Sequence, residues 1–213
     1  MKDDYDFNVK KERPEERYEN VMDYFNRETL SKYATSKSMM KIQERITIRA
    51  LELLDLKKVN CLILDAGCGP GFTSICLKEL GYNVVALDLI SEFLYFYDLR
   101  ELNPLAADMC LPPFQSNSFD AIISISVLQW IYRDMNNEKM RLRLLNLTKS
   151  FERILKPESK IVFQFYPKNK EIMEEIGKIF TDNTELIGNF VIDNPNNPKK
   201  RKIFLLLKKE GLR

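Results

Sequence analysis

Short apolar runs alternate with segments of helical periodicity along most of the 213-residue chain. The apolar runs predict strands at residues 61–66, 83–88, 103–108, 119–126 and 159–166. The segments between them predict helices at residues 71–80, 91–101, 137–155 and 169–180, and Pro157 is expected to end the third of these. Strands that are apolar throughout and alternate with helices are typical of a parallel sheet covered by helices on both faces.

The two C-terminal strands are connected differently. Residues 186–193 and 202–209 both have the pattern of strands, and the turn-rich segment between them shows no helical periodicity. Neighbouring strands joined without a crossover helix pair antiparallel. The sequence therefore predicts an α/β fold built on a seven-stranded, mostly parallel sheet with an antiparallel C-terminal strand.

The N-terminal part of the chain is expected to be an addition to this single domain. Residues 1–20 are polar and charged, which favours an extended or disordered segment. Residues 21–33 are partly apolar and aromatic and are expected to pack as a lid, whereas residues 39–56 have the apolar spacing of an amphipathic helix. We therefore divide the chain into an N-terminal extension or lid at 1–38 and one domain at 39–213.

Composition narrows the chemistry. The chain carries a net charge of +2, so binding to a nucleic acid would need a local basic patch. It has no histidine, and its four cysteines form no CxxC pair, so no metal site and no imidazole base are expected. The charged N-terminus lacks the apolar core of a signal peptide, and no apolar run approaches the roughly 20 residues of a membrane helix. We expect no membrane contact and a cytoplasmic location, or a nuclear one in a eukaryote.

A glycine-rich loop follows the first predicted strand. The sequence LILDAGCGPGF at 62–72 places an acid before a GxGxG pattern, whose third glycine comes one residue earlier than in dinucleotide-binding GxGxxG loops. The acid would repel a pyrophosphate and would suit the ammonium group of a methionine moiety. The candidate cofactor residues of this loop are Asp65, Gly67, Cys68, Gly69 and Gly71.

Acidic residues also end the next two predicted strands. Asp88, which Leu89 follows, is positioned to accept both hydroxyls of a ribose, and Asp108 is positioned to accept an adenine amino group beside the apolar Met109. Ligands of open α/β sheets bind outside the carboxyl ends of the strands, where all three acids fall. Together with Ser126, which follows the fourth strand, these residues predict a site for S-adenosylmethionine.

Beyond the glycine loop, the chain resembles the guanine-N7 methyltransferases of small-subunit ribosomal RNA. The resemblance is carried, in order, by RPEE at 13–16, the Lys32–Tyr33 region, RALELL at 49–54, ILDAGCGPG at 63–71, SFDAIISISVLQW at 118–130, QFYPKN at 164–169 and the basic turn before KIFLLL at 202–207. Two features depart from the family pattern. Pro157, Glu158 and Ser159 replace a usual glycine pair, and the long basic tail of eukaryotic members is absent after Arg213, which leaves a nuclear address and part of the RNA contact open.

The resemblance implies a Rossmann-like class I methyltransferase that transfers a methyl group from S-adenosylmethionine to N7 of a guanine. Guanine N7 carries no proton, so the reaction needs no general base, in agreement with the lack of histidine. Gln129 and Trp130, and after the fifth strand Tyr166 and Pro167, would line the acceptor pocket. Trp130 or Tyr166 would stack on a guanine turned out of its helix, and Gln129 would hydrogen-bond to its edge. The alternative for Trp130 is a core residue that covers the sheet.

Two partners are expected. Residues 193–213 hold seven Lys and Arg against two acids, a patch suited to the phosphates of ribosomal RNA. The alternative for this segment is a solvated run of charges. The resemblance also implies a small zinc-binding activator protein that docks by strand addition on residues 103–107 and beside the aromatic helix at 91–101. The alternative for these aromatic side chains is that they fill the protein's own core.

Other functions remain open on the same fold. The acceptor could be a protein or a small molecule, although QFYPKN and the basic segment would then lack a purpose. The chain could also be a ribosome-assembly factor whose presence matters more than its catalysis. A nicotinamide-dependent dehydrogenase is disfavoured by the early third glycine and the missing histidine.

Overall fold

The computed structural model describes residues 7, 12–57, 60–96, 102 and 104–211. Its centre is a seven-stranded sheet in the order β3-β2-β1-β4-β5-β7-β6. The strands are β1 (Leu62–Ala66), β2 (Asn83–Asp88), β3 (Pro104–Ala106), β4 (Phe119–Ile125), β5 (Leu155–Phe165), β6 (Leu186–Asp193) and β7 (Lys202–Lys209). β7 runs antiparallel to both of its neighbours, and the other pairings are parallel, which confirms the predicted sheet.

Helices cover both faces of the sheet, as predicted. The helices are α1 (Pro14–Arg17), α2 (Val21–Tyr24), α3 (Arg27–Ala34), α4 (Lys37–Leu54), α5 (Phe72–Glu79), α6 (Leu128–Ile131), α7 (Glu138–Ile154) and α8 (Lys170–Asn183). The apolar side chains of α4 and α5 form a core with one face, and those of α7 and α8 form a larger core with the other. Within the described ranges, no helix is both long and apolar enough to cross a membrane.

The segment between β2 and β3 differs from its prediction. Residues 91–101 were expected to form one helix, but Ser91–Phe96 is a 3-10 helix, and residues 97–101 lie outside the described part of the chain. The side chains of this 3-10 helix lie in two environments: Phe93 and Leu94 are buried, whereas Tyr95 and Phe96 are exposed. The aromatic run therefore fills the protein's own core only in part.

The turn after α7 also differs from its prediction. Pro157 was expected to lie in a loop before a strand at 159–166, but β5 begins at Leu155 and includes the proline. The pairing of β4 with β5 shifts register between Phe119 and Ala121, and Glu158 adopts a left-handed φ of 63°. A β-bulge at this point accommodates the proline, because a bulged residue leaves the ladder of hydrogen bonds.

Residues 1–20 were expected to be extended or disordered. This expectation is wrong for Pro14–Arg17, which form the helix α1. The Arg13 guanidinium donates to the carbonyl oxygens of Tyr166 and Pro167, at 2.7 and 3.1 Å, and holds this segment at the end of β5. The Arg13 amide also donates to the Glu16 carboxylate at 3.0 Å, which closes the first turn of α1. Residues 1–6 and 8–11 lie outside the described part of the chain.

We expect Phe151→Ala to lower the free energy of unfolding by about 3–5 kcal/mol, because the substitution leaves a large cavity in the core. The Phe151 ring is fully buried and stacks on Phe163 with centroids 5.6 Å apart. Leu142→Ala on the same helix is the matched control, since Leu142 is 60% exposed and should change stability by less than about 0.5 kcal/mol. Chemical denaturation measures both variants, and similar losses would contradict this packing.

Candidate functional site

The loop between β1 and α5 is built from glycines in the left-handed region. Gly67, Gly69 and Gly71 have φ values of 78°, 52° and 90°, which L side chains rarely adopt. The amides of Gly67 and Cys68 both donate to the Leu87 carbonyl oxygen, at 2.7 and 3.0 Å. These bonds fix the loop over the end of β2, at the carboxyl edge of the sheet.

Asp65 lies at the end of β1 beneath this loop and is 1% exposed. Its carboxylate accepts a hydrogen bond from the Ser74 hydroxyl at 2.5 Å. Burial raises the pKa of Asp65 to about 7; the hydrogen bond from Ser74 opposes this shift, and the charge of Asp88 adds to it. The site therefore holds a buried acid that a nearby cation would stabilise in its ionised form.

Asp88 ends β2 and connects the loop to the next strand. One of its carboxylate oxygens accepts from the Gly69 amide at 2.7 Å, and the other accepts from the Ile90 amide at 2.8 Å. Burial raises the pKa of Asp88 to about 6, against the effect of these backbone hydrogen bonds. Each carboxylate oxygen retains a further lone pair for a ligand hydroxyl.

A cavity of about 120 Å³ opens beside the glycine loop. Of the ten predicted cofactor residues, seven line it: Gly67, Gly69, Asp88, Leu89, Asp108, Met109 and Ser126. The other three, Asp65, Cys68 and Gly71, lie outside its lining. Cys68 is buried in the core with α4 and α5, and Gly71 caps the N-terminus of α5.

Asp108 has a partner that the sequence did not indicate. Its carboxylate accepts from the Cys110 amide at 2.9 Å and forms a 3.2 Å ion pair with Arg143 of α7. Arg143 lines the same cavity. The acid at this position is thus held in a fixed orientation at the wall of the cavity.

A larger groove of about 770 Å³ lies next to the cavity. All four residues predicted for the acceptor pocket line it: Gln129, Trp130, Tyr166 and Pro167. Trp130 is half-buried and stacks on Tyr24 of α2, with ring centroids 5.8 Å apart. It borders both openings, so its position is not that of a core residue.

Four residues form the boundary that the cavity and the groove share: Phe25, Tyr33, Ser126 and Trp130. Ser126 has a φ of 62°, unusual for a residue with a side chain. Its amide donates to the Gln164 carbonyl oxygen at 2.7 Å, and its hydroxyl donates to the Gln164 side-chain oxygen at 3.0 Å. This pairing holds the chain after β4 in the strained conformation at the junction.

Several residues of the site were not predicted as members of it. They are Arg13, Phe25, Tyr33, Phe93, Arg143 and Gln164. Tyr33 borders both openings. Its hydroxyl accepts a hydrogen bond from the Gln43 side-chain amide at 3.2 Å, and burial raises its pKa to about 12. The aromatic residues of the N-terminal segment were the available signal, but their spacing does not show which opening they border.

The basic C-terminal segment is divided between two edges of the sheet. Lys199, Arg201 and Lys202 line the groove. Lys208 and Lys209 lie at the opposite end of β7, where Lys208 pairs with Glu158 and Lys209 donates to the Leu155 carbonyl oxygen at 2.9 Å. Only the first group can belong to the site. Among the residues that the structure describes, no group of three or more His, Cys, Asp or Glu could hold a metal ion.

The strand order and the glycine loop at the carboxyl edge define a class I methyltransferase fold, as expected. Residues 64–163 match the family model described as a methyltransferase domain. A solved structure from Methanococcus maripaludis, described as a candidate S-adenosyl-L-methionine-dependent methyltransferase, has a TM-score of 0.66 over 97% of this chain and 99% of its own. At 13% identity, that likeness shows the fold alone.

Sequence relatives place the chain within this class. The 18S rRNA (guanine-N(7))-methyltransferase of Bos taurus is 32% identical over 86% of this chain and 67% of its own length. The corresponding Arabidopsis thaliana protein is 36% identical over 83% of this chain, which spans 63% of that relative. This chain belongs to the 18S rRNA guanine-N7 methyltransferase family.

We expect Gly67→Ala to be more damaging than Gly81→Ala. Both glycines have positive φ values, 78° and 89°, so both substitutions strain the backbone. A Cβ at Gly67 would also lie 2.3 Å from a Val127 methyl carbon, whereas nothing lies within 4 Å at Gly81. Thermal unfolding should show a loss at Gly67 larger by about 1–3 kcal/mol, the usual effect of overpacking. Equal losses would show that the loop does not press on Val127.

Proposed function

We propose that this protein transfers the methyl group of S-adenosylmethionine to N7 of a guanine in small-subunit ribosomal RNA. The observation that carries the proposal is the shared wall between the glycine-loop cavity and the basic groove. A cofactor in the cavity would present its methyl group at this wall to a base in the groove. The names of the relatives support the choice of acceptor.

The residues of the cavity fit the parts of the cofactor. Asp88 would accept the ribose hydroxyls, and Asp108 would accept the adenine amino group, with Met109 and Leu89 against the purine. Asp65 would act on the ammonium group from beneath the loop, because its buried charge has no ion pair within 4 Å among the described residues. The remaining loop residues, Gly67, Cys68, Gly69 and Gly71, would shape the backbone, and Ser126 would border the methyl group.

The residues of the groove would act by holding the acceptor guanine in line with the methyl group. Guanine N7 attacks with its own lone pair, so the reaction requires alignment and exclusion of water and no proton transfer. Trp130 and Tyr166 offer aromatic faces for a base, and Pro167 and Gln129 complete the same wall. Tyr33 stays a neutral phenol near neutral pH because its pKa is about 12.

The groove also suits the phosphates of an RNA. The basic side chains in its lining are Arg13, Lys32, Lys199, Arg201 and Lys202. The only acid among the described lining residues is Glu15. Arg13 and Lys202 both lie over the Tyr166 ring, 5.8 and 5.3 Å from its centroid, so positive charge surrounds the aromatic face. This contrast with the small net charge of the chain favours a nucleic-acid acceptor.

The N-terminal residues 1–38 would serve as a lid on the domain at 39–213. Tyr24 and Phe25 pack on Trp130, and Phe25 also meets Phe93 with ring centroids 4.9 Å apart. The carbonyl oxygen of Glu19 accepts from Arg133 at 3.1 Å. These contacts support a segment that covers the cofactor and forms one side of the groove.

A small zinc-binding activator protein would pair with β3, an edge strand of the described sheet. Among the residues that the structure describes, β3 pairs with β2 alone. The neighbouring Tyr95 and Phe96 are 80% and 43% exposed, and Leu111 is 68% exposed. An edge strand with apolar neighbours of this kind favours addition of a partner strand. We expect the protein to lie where small subunits assemble, in the cytoplasm or, in a eukaryote, the nucleus.

The central test is methyl transfer from labelled S-adenosylmethionine to small ribosomal subunits that lack the modification. We expect labelled N7-methylguanosine on nucleoside analysis, and a rate lowered at least tenfold by Asp65→Asn. Glu12→Asn, an exposed acid outside the site, is the control. Cofactor binding without label in RNA would instead favour a protein or small-molecule acceptor. Restored subunit assembly by an inactive variant would favour an assembly factor.

Cofactor affinity should depend on pH through Asp65. Its pKa of about 7 means that the carboxylate is ionised at pH 8 and largely neutral at pH 6. We expect the affinity to fall about tenfold as the pH drops from 8 to 6, and less in Asp65→Asn. Calorimetry at both pH values measures the change.

The cofactor-free protein should respond in the opposite direction. Because the folded-state pKa of Asp65 is raised above its unfolded value, stability is lost as the pH rises from about 4 to about 7. Asp65→Asn should flatten that part of the profile in chemical denaturation. A wild-type affinity and stability that are independent of pH would contradict both expectations.

The partner site can be tested by changing its exposed side chains. Tyr95→Lys with Phe96→Lys should abolish co-purification of the activator, because two charges would enter the interface. Leu142→Lys, exposed on α7, is the matched control. Retention of the activator by the double variant would place the interface elsewhere.

A further inference from the structure

The groove contains one buried acid that lies outside the cofactor cavity. Glu15 is 6% exposed, although it belongs to the short helix α1 at the surface of the domain. No Lys or Arg nitrogen of the described chain lies within ion-pair distance of its carboxylate. Burial raises the pKa of Glu15, whereas a hydrogen bond from its own backbone amide and the charges of Arg13 and Arg133 oppose that shift. A buried carboxylate without an ion pair costs stability, so it is expected to serve a ligand.

A second buried acceptor lies beside it. Gln129 is also 6% exposed, and its amide nitrogen donates to the Ser126 carbonyl oxygen at 2.9 Å. Its side-chain oxygen has no hydrogen-bond partner in the described structure. Glu15 and Gln129 both line the groove, and both border one small cavity of about 10 Å³ together with Tyr166. The site thus presents three oxygen acceptors next to an aromatic ring.

The donor pattern of the bases discriminates among possible ligands. The Watson–Crick edge of guanine carries three N–H bonds, at N1 and at the N2 amino group, and N7 lies on the opposite side of the base. Adenine presents the N1 acceptor at the corresponding place, and hypoxanthine lacks the amino group. A carboxylate can accept from N1–H and N2–H together, in the bidentate manner typical of direct base recognition.

We infer that Glu15 and Gln129 select the acceptor guanine by accepting hydrogen bonds from its Watson–Crick edge. The inference rests on the proposed function and deepens it. Neither residue lines the cofactor cavity, so a base held by this edge would point N7 toward the wall at Ser126. The anchor of Arg13 on the end of β5 positions Glu15, so the N-terminal segment carries specificity as well as covering the site.

The test is an NMR titration of the protein, saturated with S-adenosylhomocysteine, with guanosine, inosine and adenosine 5′-monophosphates. We expect guanosine monophosphate to bind roughly tenfold more tightly than inosine monophosphate, because the latter leaves an acceptor unpaired. Adenosine monophosphate should bind more weakly still. Glu15→Gln should remove most of the preference for guanine over hypoxanthine, and Glu12→Gln, an exposed neighbour, should preserve it.

The outcomes separate this inference from the proposed function. Equal wild-type affinities for the three nucleotides, no binding of any of them, or an unchanged preference in Glu15→Gln would overturn the role of Glu15. Methyl transfer to small subunits measures the proposed function independently. The folding of Glu15→Gln is judged by thermal unfolding and cofactor binding. If it does not fold, the wild-type comparison of guanosine with inosine monophosphate still tests whether the site selects the N2 amino group of guanine.

Discussion

Two buried carboxylates at neighbouring strand ends, Asp65 and Asp88, are the constraint on which this site depends. Both carry raised pKa values because burial disfavours their charge, and the charge of Asp88 adds to the shift of Asp65. Asp88 accepts a hydrogen bond from the Gly69 amide of the glycine loop, and Asp65 accepts one from the Ser74 hydroxyl. Such a pair costs stability in the free protein and favours a ligand that brings a cation and hydroxyl groups. The glycine loop bends tightly between them, so that Asp88 lines the cavity and Asp65 lies buried beneath the loop.

The N-terminal segment makes the second half of the site. Arg13 fixes it to the end of β5, and aromatic contacts of Phe25 and Tyr33 fix it to the region around the glycine loop. Because Phe25 and Tyr33 border both openings, under the proposed function the segment would set the distance between cofactor and acceptor. Alignment of this kind is the main requirement of a methyl transfer that needs no base.

The boundary at Ser126 shows how the sheet supports the chemistry. The left-handed conformation of this residue is held by Gln164 on the neighbouring strand β5, whose side chain is fully buried. The stretches around Ser126 and Gln164 are therefore coupled through one hydrogen-bonded pair. Strain at such a position persists only where the surrounding structure determines it, as it does here.

Much of this architecture was determined by the sequence. Apolar runs such as residues 61–66 and 83–88 can satisfy their backbones only inside a covered parallel sheet, and the acids at their ends then meet at one edge. The GxGxG spacing after Asp65 likewise indicated a sharp turn near a ligand. These features depend on local periodicity and on the alignment of parallel strands, which the sequence contains directly.

Other features were decided only by the tertiary structure. The sequence shows one basic C-terminal segment, but the antiparallel direction of β7 places Lys202 at the groove and Lys208 at the opposite edge. The role of Glu15 depends on the hydrogen bond from Arg13 to the Tyr166 carbonyl oxygen, and these two residues lie 153 positions apart in sequence. Local patterns contain no record of such distant contacts, because these arise only when separate elements pack together.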